Sequence, residues 1–319
     1  MPTDKNRHLE CVLDSHKAAK ETALLDKYEQ KKKGVVAALK ERYGSNLYEP
    51  FLAGSFAKRT SINLKFDFDL MAPFKRNAFA TLEDMYTSVY GFLCEKYKDE
   101  ATVRRQKVSI GIDFHADSDG HTVKIDVVPG RELNLNQYSE DNQLNLYVYS
   151  QFGNIRQGSD RLKSNVKAQI HHIRQQADKD FVRQNVRLLK VWKLYGKKDP
   201  KSFFLELITI RAFSDKDIAG GLWEKLKAVM EYIRDNVERV ALPDPGNQSN
   251  NMADTLTDVQ KRVLSQDMKY MIDQIEANSD MIKNYFPLNL SHPCPSEKNT
   301  PRYGVREAAV SVPPLTRFG

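Results

Sequence analysis

Cysteine is scarce in this sequence. Cys11, Cys94 and Cys294 are the only three in 319 residues, widely separated and none at metal-ligand spacing. A disulfide framework or a zinc finger needs more, so the expected compartment is the cytosol. Long apolar runs are missing too. Nothing approaches the roughly 18 consecutive apolar residues of a membrane-spanning helix, so a membrane is not an expected partner. The opening residues are charged throughout and hold no apolar stretch of the kind a secretory signal carries. The phosphate loop G-x-x-x-x-G-K-[ST] is absent, as are internal repeats and low-complexity tracts.

What is present is an ordinary globular composition, 40% hydrophobic and 29% charged, in a chain long enough for about two domains. The net charge of +7 and pI near 9.0 favour a polyanionic substrate or partner, without separating nucleotide, nucleic acid and anionic lipid. Much of that charge is local. Residues 156–201 hold 13 Lys or Arg against four Asp, a net of +9.

Four segments follow from the patterning. Residues 1–45 spread apolar positions such as Leu9, Val12, Leu24, Tyr28, Val35 and Leu39 among charges. That predicts one long or broken amphipathic helix bracing whatever lies on either side. Residues 46–158 turn to strands. Phe66, Phe68 and Leu70 alternate with Lys65, Asp67 and Asp69, and Val123, Ile125 and Val127 with Lys124, Asp126 and Val128. Between them, 81–97 has helical spacing behind a Thr-x-x-Asp start. Residues 159–286 read as all helical, with helices predicted at 164–176, 180–195, 202–213, 221–240, 253–278 and 279–285. Residues 287–319 contain six of the 13 prolines and predict an extended, flexible tail. The expected class is α+β, a sheet backed by helices followed by a helical lobe.

The chemistry concentrates in residues 52–74. Asp67 and Asp69 stand two apart on a predicted strand and leave the same face, while Phe66, Phe68 and Leu70 take the other. Two carboxylates that close repel unless a cation or proton lies between them, and Mg²⁺ suits such a site. Asp126, on the later strand, is a third. Upstream, Gly54-Ser55 follows an apolar segment and precedes Lys58-Arg59; a glycine lets backbone amides approach a phosphate and the hydroxyl adds a donor. Alone, an Asp-x-Asp or a Gly-Ser is a commonplace surface feature; the three in this order are far more specific. His171-His172, adjacent on a helix, point in different directions and read as surface or packing. Trp192 and Trp223 read as core.

Gly54-Ser55, Asp67-x-Asp69 and Asp126 together resemble the signature of the polymerase-β-like nucleotidyltransferases. Leu188-Leu189-Lys190-Val191-Trp192 and Lys201-Ser202-Phe203-Phe204-Leu205-Glu206-Leu207 resemble the helical half of oligoadenylate synthetases and cGAS/DncV-like enzymes. Asp244-Pro245-Gly246-Asn247-Gln248-Ser249-Asn250-Asn251 resembles the Asp-Pro-x-Asn-Pro-x-Asn-Asn loop of the same group. Together these motifs resemble bacterial cGAS/DncV-like nucleotidyltransferases of anti-phage cyclic-oligonucleotide signalling. Two departures stand out: Lys65-Phe66 replaces the small pair before the first metal Asp, and Gln248 stands where Pro is usual. The zinc-binding insertion of the animal DNA sensors is absent.

The resemblance implies a nucleotidyltransferase core and a helical C-terminal lobe with the active site in the cleft between them. It implies two Mg²⁺ ions on Asp67, Asp69 and Asp126, with Gly54 and Ser55 gripping the β- and γ-phosphates and Lys190 and Ser202 binding the donor triphosphate. The implied reaction joins NTPs into a cyclic di- or trinucleotide. The alternatives are a linear oligonucleotide, transfer to RNA or protein, or a catalytically silent RNA-binding module. Implied partners are NTPs, a nucleic acid or protein activator, and a ubiquitin-like conjugating enzyme acting on Gly319 at the end of the tail.

Overall fold

The computed structural model describes residues 2–64, 68–117, 120, 122–149 and 161–294. The N-terminal segment is the broken alternative: α1 (Lys5–Ser15) and α2 (Thr22–Tyr43) are separated by a short irregular stretch. Asp4 caps α1, accepting from the Arg7 amide at 3.0 Å. The break divides the segment's duties. Leu9, Val12 and Leu13 of α1 enter the core of the helical half, while Tyr28, Val35 and Leu39 of α2 enter the core of the sheet half.

Among the described residues a seven-stranded mixed sheet follows. In chain order its first part comprises β1 (Phe51–Leu52), α3 (Gly54–Lys58), β2 (Phe68–Phe74), α4 (Leu82–Lys96), β3 (Ala101–Arg105) and β4 (Ile110–Phe114). Then come β5 (Lys124–Glu132), α5 (Tyr138–Asp141), β6 (Leu144–Tyr147) and β7 (Arg161–Ser164). β2 and β5 run parallel at the centre, which requires the crossover that α4, β3 and β4 make between them. The other edge of β5 is shared: β4 pairs with its first half and β6 with its last residues. The period-two reading holds where it falls on described residues. Phe68, Leu70, Ile125 and Val127 are buried in one core with Met85, Val89 and Leu93 of α4. That helix starts at the Thr81–Asp84 capping box the sequence predicted.

The helical lobe contains α6 (Val166–Arg174), α7 (Lys179–Tyr195), α8 (Ser202–Asp215), α9 (Leu222–Asn236), the hairpin of β8 (Pro243–Asp244) and β9 (Asn247–Asn251), α10 (Asp258–Ala277) and α11 (Ile282–Tyr285). Trp192 and Trp223 are buried in its core, as expected.

Three expectations are corrected. The second half is not all helical, since β7 joins the sheet and β8–β9 forms a hairpin; the exposed Arg161-Leu162-Lys163 has no apolar alternation, and only pairing with β6 makes it a strand. Second, Cys11 and Cys294 form a disulfide across 283 residues, a pairing that local spacing cannot show. Third, the segment expected as a flexible tail is pinned over residues 287–294, where Asn289 and Cys294 are buried. Gly319 and the rest of that tail lie outside the described residues. Among the described residues no helix is long and apolar enough to cross a membrane.

Candidate active site

Asp69 on β2 and Asp126 on β5 are register partners in the parallel ladder, so their side chains leave one face of the sheet side by side. Adjacent strands set backbones about 4.8 Å apart, which brings the two carboxylates within reach of one cation. One residue further along that face, Met71 and Val128 close over into a small apolar cluster with Ala53, Tyr138, Val166 and Ile170. The acidic pair therefore sits at the rim of a dry floor.

Gly54 lies against Asp69. The Ala53 amide donates to the Asp69 carbonyl at 2.8 Å, fixing the turn between β1 and α3 against β2. Gly54 has φ +62°, and a Cβ there would run into the Asp69 carboxylate. Backbone conformation and close approach both demand glycine. Ser55 follows in the first turn of α3, and its carbonyl accepts from the Thr60 amide at 2.9 Å.

Asp126 is held from the side away from β2. Gln106, in the turn between β3 and β4, donates its Nε2 to Asp126 Oδ1 at 2.9 Å. The Ser109 hydroxyl donates to Gln106 Oε1 at 2.7 Å, which fixes the amide's direction. Gly111 is the register partner of Asp126 on β4, and a Cβ on it would come within 2.7 Å of Gln106 Nε2. Sequence reasoning missed Gln106. The one available signal was a glycine inside a strand, which marks a close approach.

The helical lobe grips the turn after α3. Lys58 Nζ and Glu206 Oε1 form a buried ion pair at 2.8 Å, with Lys58 Nζ 4.1 Å from the centre of the Phe203 ring. Arg183 donates to the Lys58 carbonyl (3.2 Å), Arg174 to that of Ala57 (3.0 Å) and Lys190 Nζ to that of Thr60 (2.8 Å). Between these anchored carbonyls Arg59 adopts the left-handed conformation at φ 59° and leaves its side chain exposed. Lys190 is thus brought to the turn behind Ser55. Ser202 opens α8 one turn before Glu206, on the face that receives Lys58. Arg183, Arg187 and Lys190 share one stripe of α7. Burial, with Arg183 alongside, lowers the pKa of Arg187, and its Nε is buried without a hydrogen-bond partner.

Of the two histidines, His171 is exposed. His172 is half-buried, and burial holds its pKa below the usual value; Glu206 opposes that shift and Lys58 adds to it. The Asp244–Asn251 loop is a brace. Asp244 is buried and accepts from the Gly246 amide (2.8 Å) and from Gln169 of α6 (2.8 and 3.0 Å). Gly246 packs on the backbone of Asn165, the N-cap of α6. The loop sets where α6 begins and so where Arg174 and His172 lie.

Asp67 falls outside the described residues. Among those described, no group of three or more Asp, Glu, His or Cys gathers as a metal site, so Asp69 and Asp126 stand as a pair. Their donors are hard carboxylate oxygens, which fit Mg²⁺ rather than a thiophilic ion.

This architecture matches the polymerase-β-like fold of solved CD-NTase structures. Over 90% of this chain and 98% of the other, it matches CdnC of Escherichia coli MS115-1, solved with ATP, at TM-score 0.67 and 19% identity. It matches CdnG of Bradyrhizobium diazoefficiens, a CD-NTase solved with GTP, at 0.66 and 13% identity over 89% and 96%. The cyclic AMP-GMP synthase DncV of Vibrio cholerae, solved with nonhydrolyzable GTP, matches at 0.61 and 13% identity over 75% and 69%. At these identities the likeness is one of fold. No protein-family model and no curated protein matches the sequence.

Proposed function

We propose that the chain is a metal-dependent nucleotidyltransferase that joins NTPs into a cyclic di- or trinucleotide messenger, acting in the cytoplasm in anti-phage defence. The observation that carries this reading is the Asp69–Asp126 register pair set directly against the Gly54-Ser55 turn. The solved neighbours support it in kind, since they were captured with ATP or GTP and one is named a cyclic AMP-GMP synthase.

In this reading Gly54 and Ser55 hold the β- and γ-phosphates of the donor. A ribose hydroxyl of the acceptor attacks the α-phosphorus in line, forming the new P–O bond as the bond to pyrophosphate breaks. Asp126, oriented by Gln106, lies on the side of the attacking hydroxyl and takes its proton. Two Mg²⁺ ions, on Asp69, Asp126 and Asp67, would acidify that hydroxyl and neutralise charge on the leaving pyrophosphate. Lys190 serves the triphosphate by fixing the turn behind Ser55, Ser202 approaches from α8, and Arg187 supplies a cation whose burial favours an anionic partner. Gly319 remains a proposed conjugation site, and a nucleic acid or protein activator a proposed partner.

The test is incubation with Mg²⁺ and four labelled NTPs, with and without added RNA, followed by mass spectrometry of phosphatase-resistant products. A cyclic product that disappears in Asp69→Asn and Asp126→Asn supports the reading. No incorporation under either condition, from protein whose fold is verified, overturns it. Deleting Gly319 should stop transfer of the chain to other proteins while leaving nucleotide synthesis intact; unchanged adducts would remove the conjugation proposal.

A further inference from the structure

The C-terminal strap and residues 60–64, ahead of β2, are one connected unit, closed by the disulfide. After α11 the chain runs back along α1. The Phe286 carbonyl contacts His8 Nε2 at 2.8 Å, and the Asn289 amide donates to the Ser15 hydroxyl at 3.1 Å. His292 Nε2 meets Glu21 Oε1 at 2.6 Å, and Cys294 ends the strap in its bond to Cys11 of α1. The same asparagine reaches the other way: Asn289 Nδ2 donates to Asn63 Oδ1 at 3.1 Å. Asn63 is itself held to the end of α1, its amide on the His16 carbonyl (3.1 Å) and its Nδ2 on the Ser15 carbonyl (2.9 Å). Lys17 bridges Ile62 alongside. Residues 60–64 are thus clamped at one end by Lys190 on Thr60 and at the other by Asn289 on Asn63, and the chain proceeds from there to Asp69.

We propose that Cys11–Cys294 is a redox latch: its oxidation holds the strap on Asn63, and its reduction releases the strap and loosens the segment that delivers Asp69. Both sulfurs belong to buried residues, yet Cys294 is flanked by the exposed Pro293, so the strap's end is where a reductant enters. The reductant is a dithiol. One of its thiolates attacks Cys294 Sγ and expels the Cys11 thiolate, giving a mixed disulfide. Its second thiolate then displaces Cys294. In sum the dithiol gives two electrons and two protons, becoming a disulfide while Cys11 and Cys294 become thiols. Beyond the buried Phe286 and the partly buried Leu288, which pack on the helical core, residues 289–294 are tied down by side-chain hydrogen bonds and the disulfide, and a short peripheral element of this kind can open locally without global unfolding. The inference does not depend on the nucleotidyltransferase reading.

The test uses the full chain, oxidised or treated with dithiothreitol. Maleimide labelling in denaturant should find one thiol in the oxidised protein, Cys94, and three after reduction. Amide hydrogen exchange should then quicken on reduction by about tenfold or more at residues 60–64 and 287–294, with α7 and α9 unchanged. Cys294→Ser should reproduce the reduced pattern without dithiothreitol. Asn289→Ala, which keeps the disulfide, should quicken 60–64 alone. Three thiols in air-oxidised protein, equal exchange at 60–64 in both states, or loss of protection throughout the chain would each overturn the latch.

Discussion

Asp69 and Asp126 are partners across a parallel strand pair, and each is fixed by a different neighbour: Gly54 packs against the first, and Gln106 donates to the second. Two like charges so placed repel, so the fold has to hold them in place. What stabilises the arrangement is the buried sheet face beneath and these flanking contacts, so substitutions at the flanks test the site without touching its carboxylates.

Gly54→Ala combines two faults. Alanine resists φ +62°, and its Cβ would displace the Asp69 carboxylate. The backbone fault alone costs about 1–3 kcal/mol. We expect a thermal midpoint several degrees lower and nucleotide incorporation at least about 100-fold down, the misplacement of a reacting group being the larger effect. Activity within twofold of wild type would show that Asp69 is not needed where it stands.

Gln106→Leu removes the donor to Asp126 while keeping the side chain's bulk. We expect turnover to fall about 10- to 100-fold with little change in midpoint, the range for losing a group that orients a ligating carboxylate. Gln106→Glu should be worse, because it keeps the acceptor for Ser109 but replaces the donor to Asp126 with a third carboxylate beside it. Matching pH profiles measured for the two variants would separate charge from lost orientation; equal activity in Leu and Glu variants would mean the contact is incidental.

The strands around the pair were legible in the sequence because one face is buried. Phe68, Leu70, Ile125 and Val127 had to alternate with something, and the alternation put Asp69 and Asp126 on a common side. The capping box at Thr81 was legible for the same local reason. What could not be read depends on partners far along the chain. β7 becomes a strand only through β6, and Cys11 finds Cys294 only after the whole helical half is built. Lys190 was identified as a residue of interest, but its contact with Thr60 and the Lys58–Glu206 pair arise from the way α7 and α8 dock on α3. No window of sequence contains both ends of those contacts.

The Lys58–Glu206 pair joins the two halves, with both side chains buried. Removing one partner leaves an uncompensated charge, so Lys58→Met or Glu206→Leu should each destabilise by about 3–5 kcal/mol. The double variant Lys58→Met with Glu206→Leu should recover most of that loss. Urea unfolding of the four proteins closes the cycle. Additive losses with no recovery would show that the two side chains do not act as a pair.

Glu132 provides the pH-dependent member of the sheet. It is fully buried at the end of β5, and burial by itself raises its pKa. The Arg76 amide at 2.7 Å, the Asn136 amide, the Tyr48 hydroxyl at 2.9 Å and the Tyr138 amide outweigh that and hold it below the usual carboxylate value. The same contact pushes the Tyr48 hydroxyl up, to about 12, behind the larger effect of its own desolvation. A carboxyl with a depressed folded pKa binds fewer protons folded than unfolded, so its contribution is complete only well above the unfolded value of about 4.3 and is lost as pH falls through that value toward the folded one. Stability should therefore drop from about pH 5 downward. Glu132→Gln should be less stable at pH 7, because a neutral amide accepts those donors more weakly and buries its own NH₂, and it should show a shallower acid loss. Urea midpoints from pH 7 to pH 3 decide it: parallel curves for the two proteins would mean that Glu132 carries no part of the acid sensitivity.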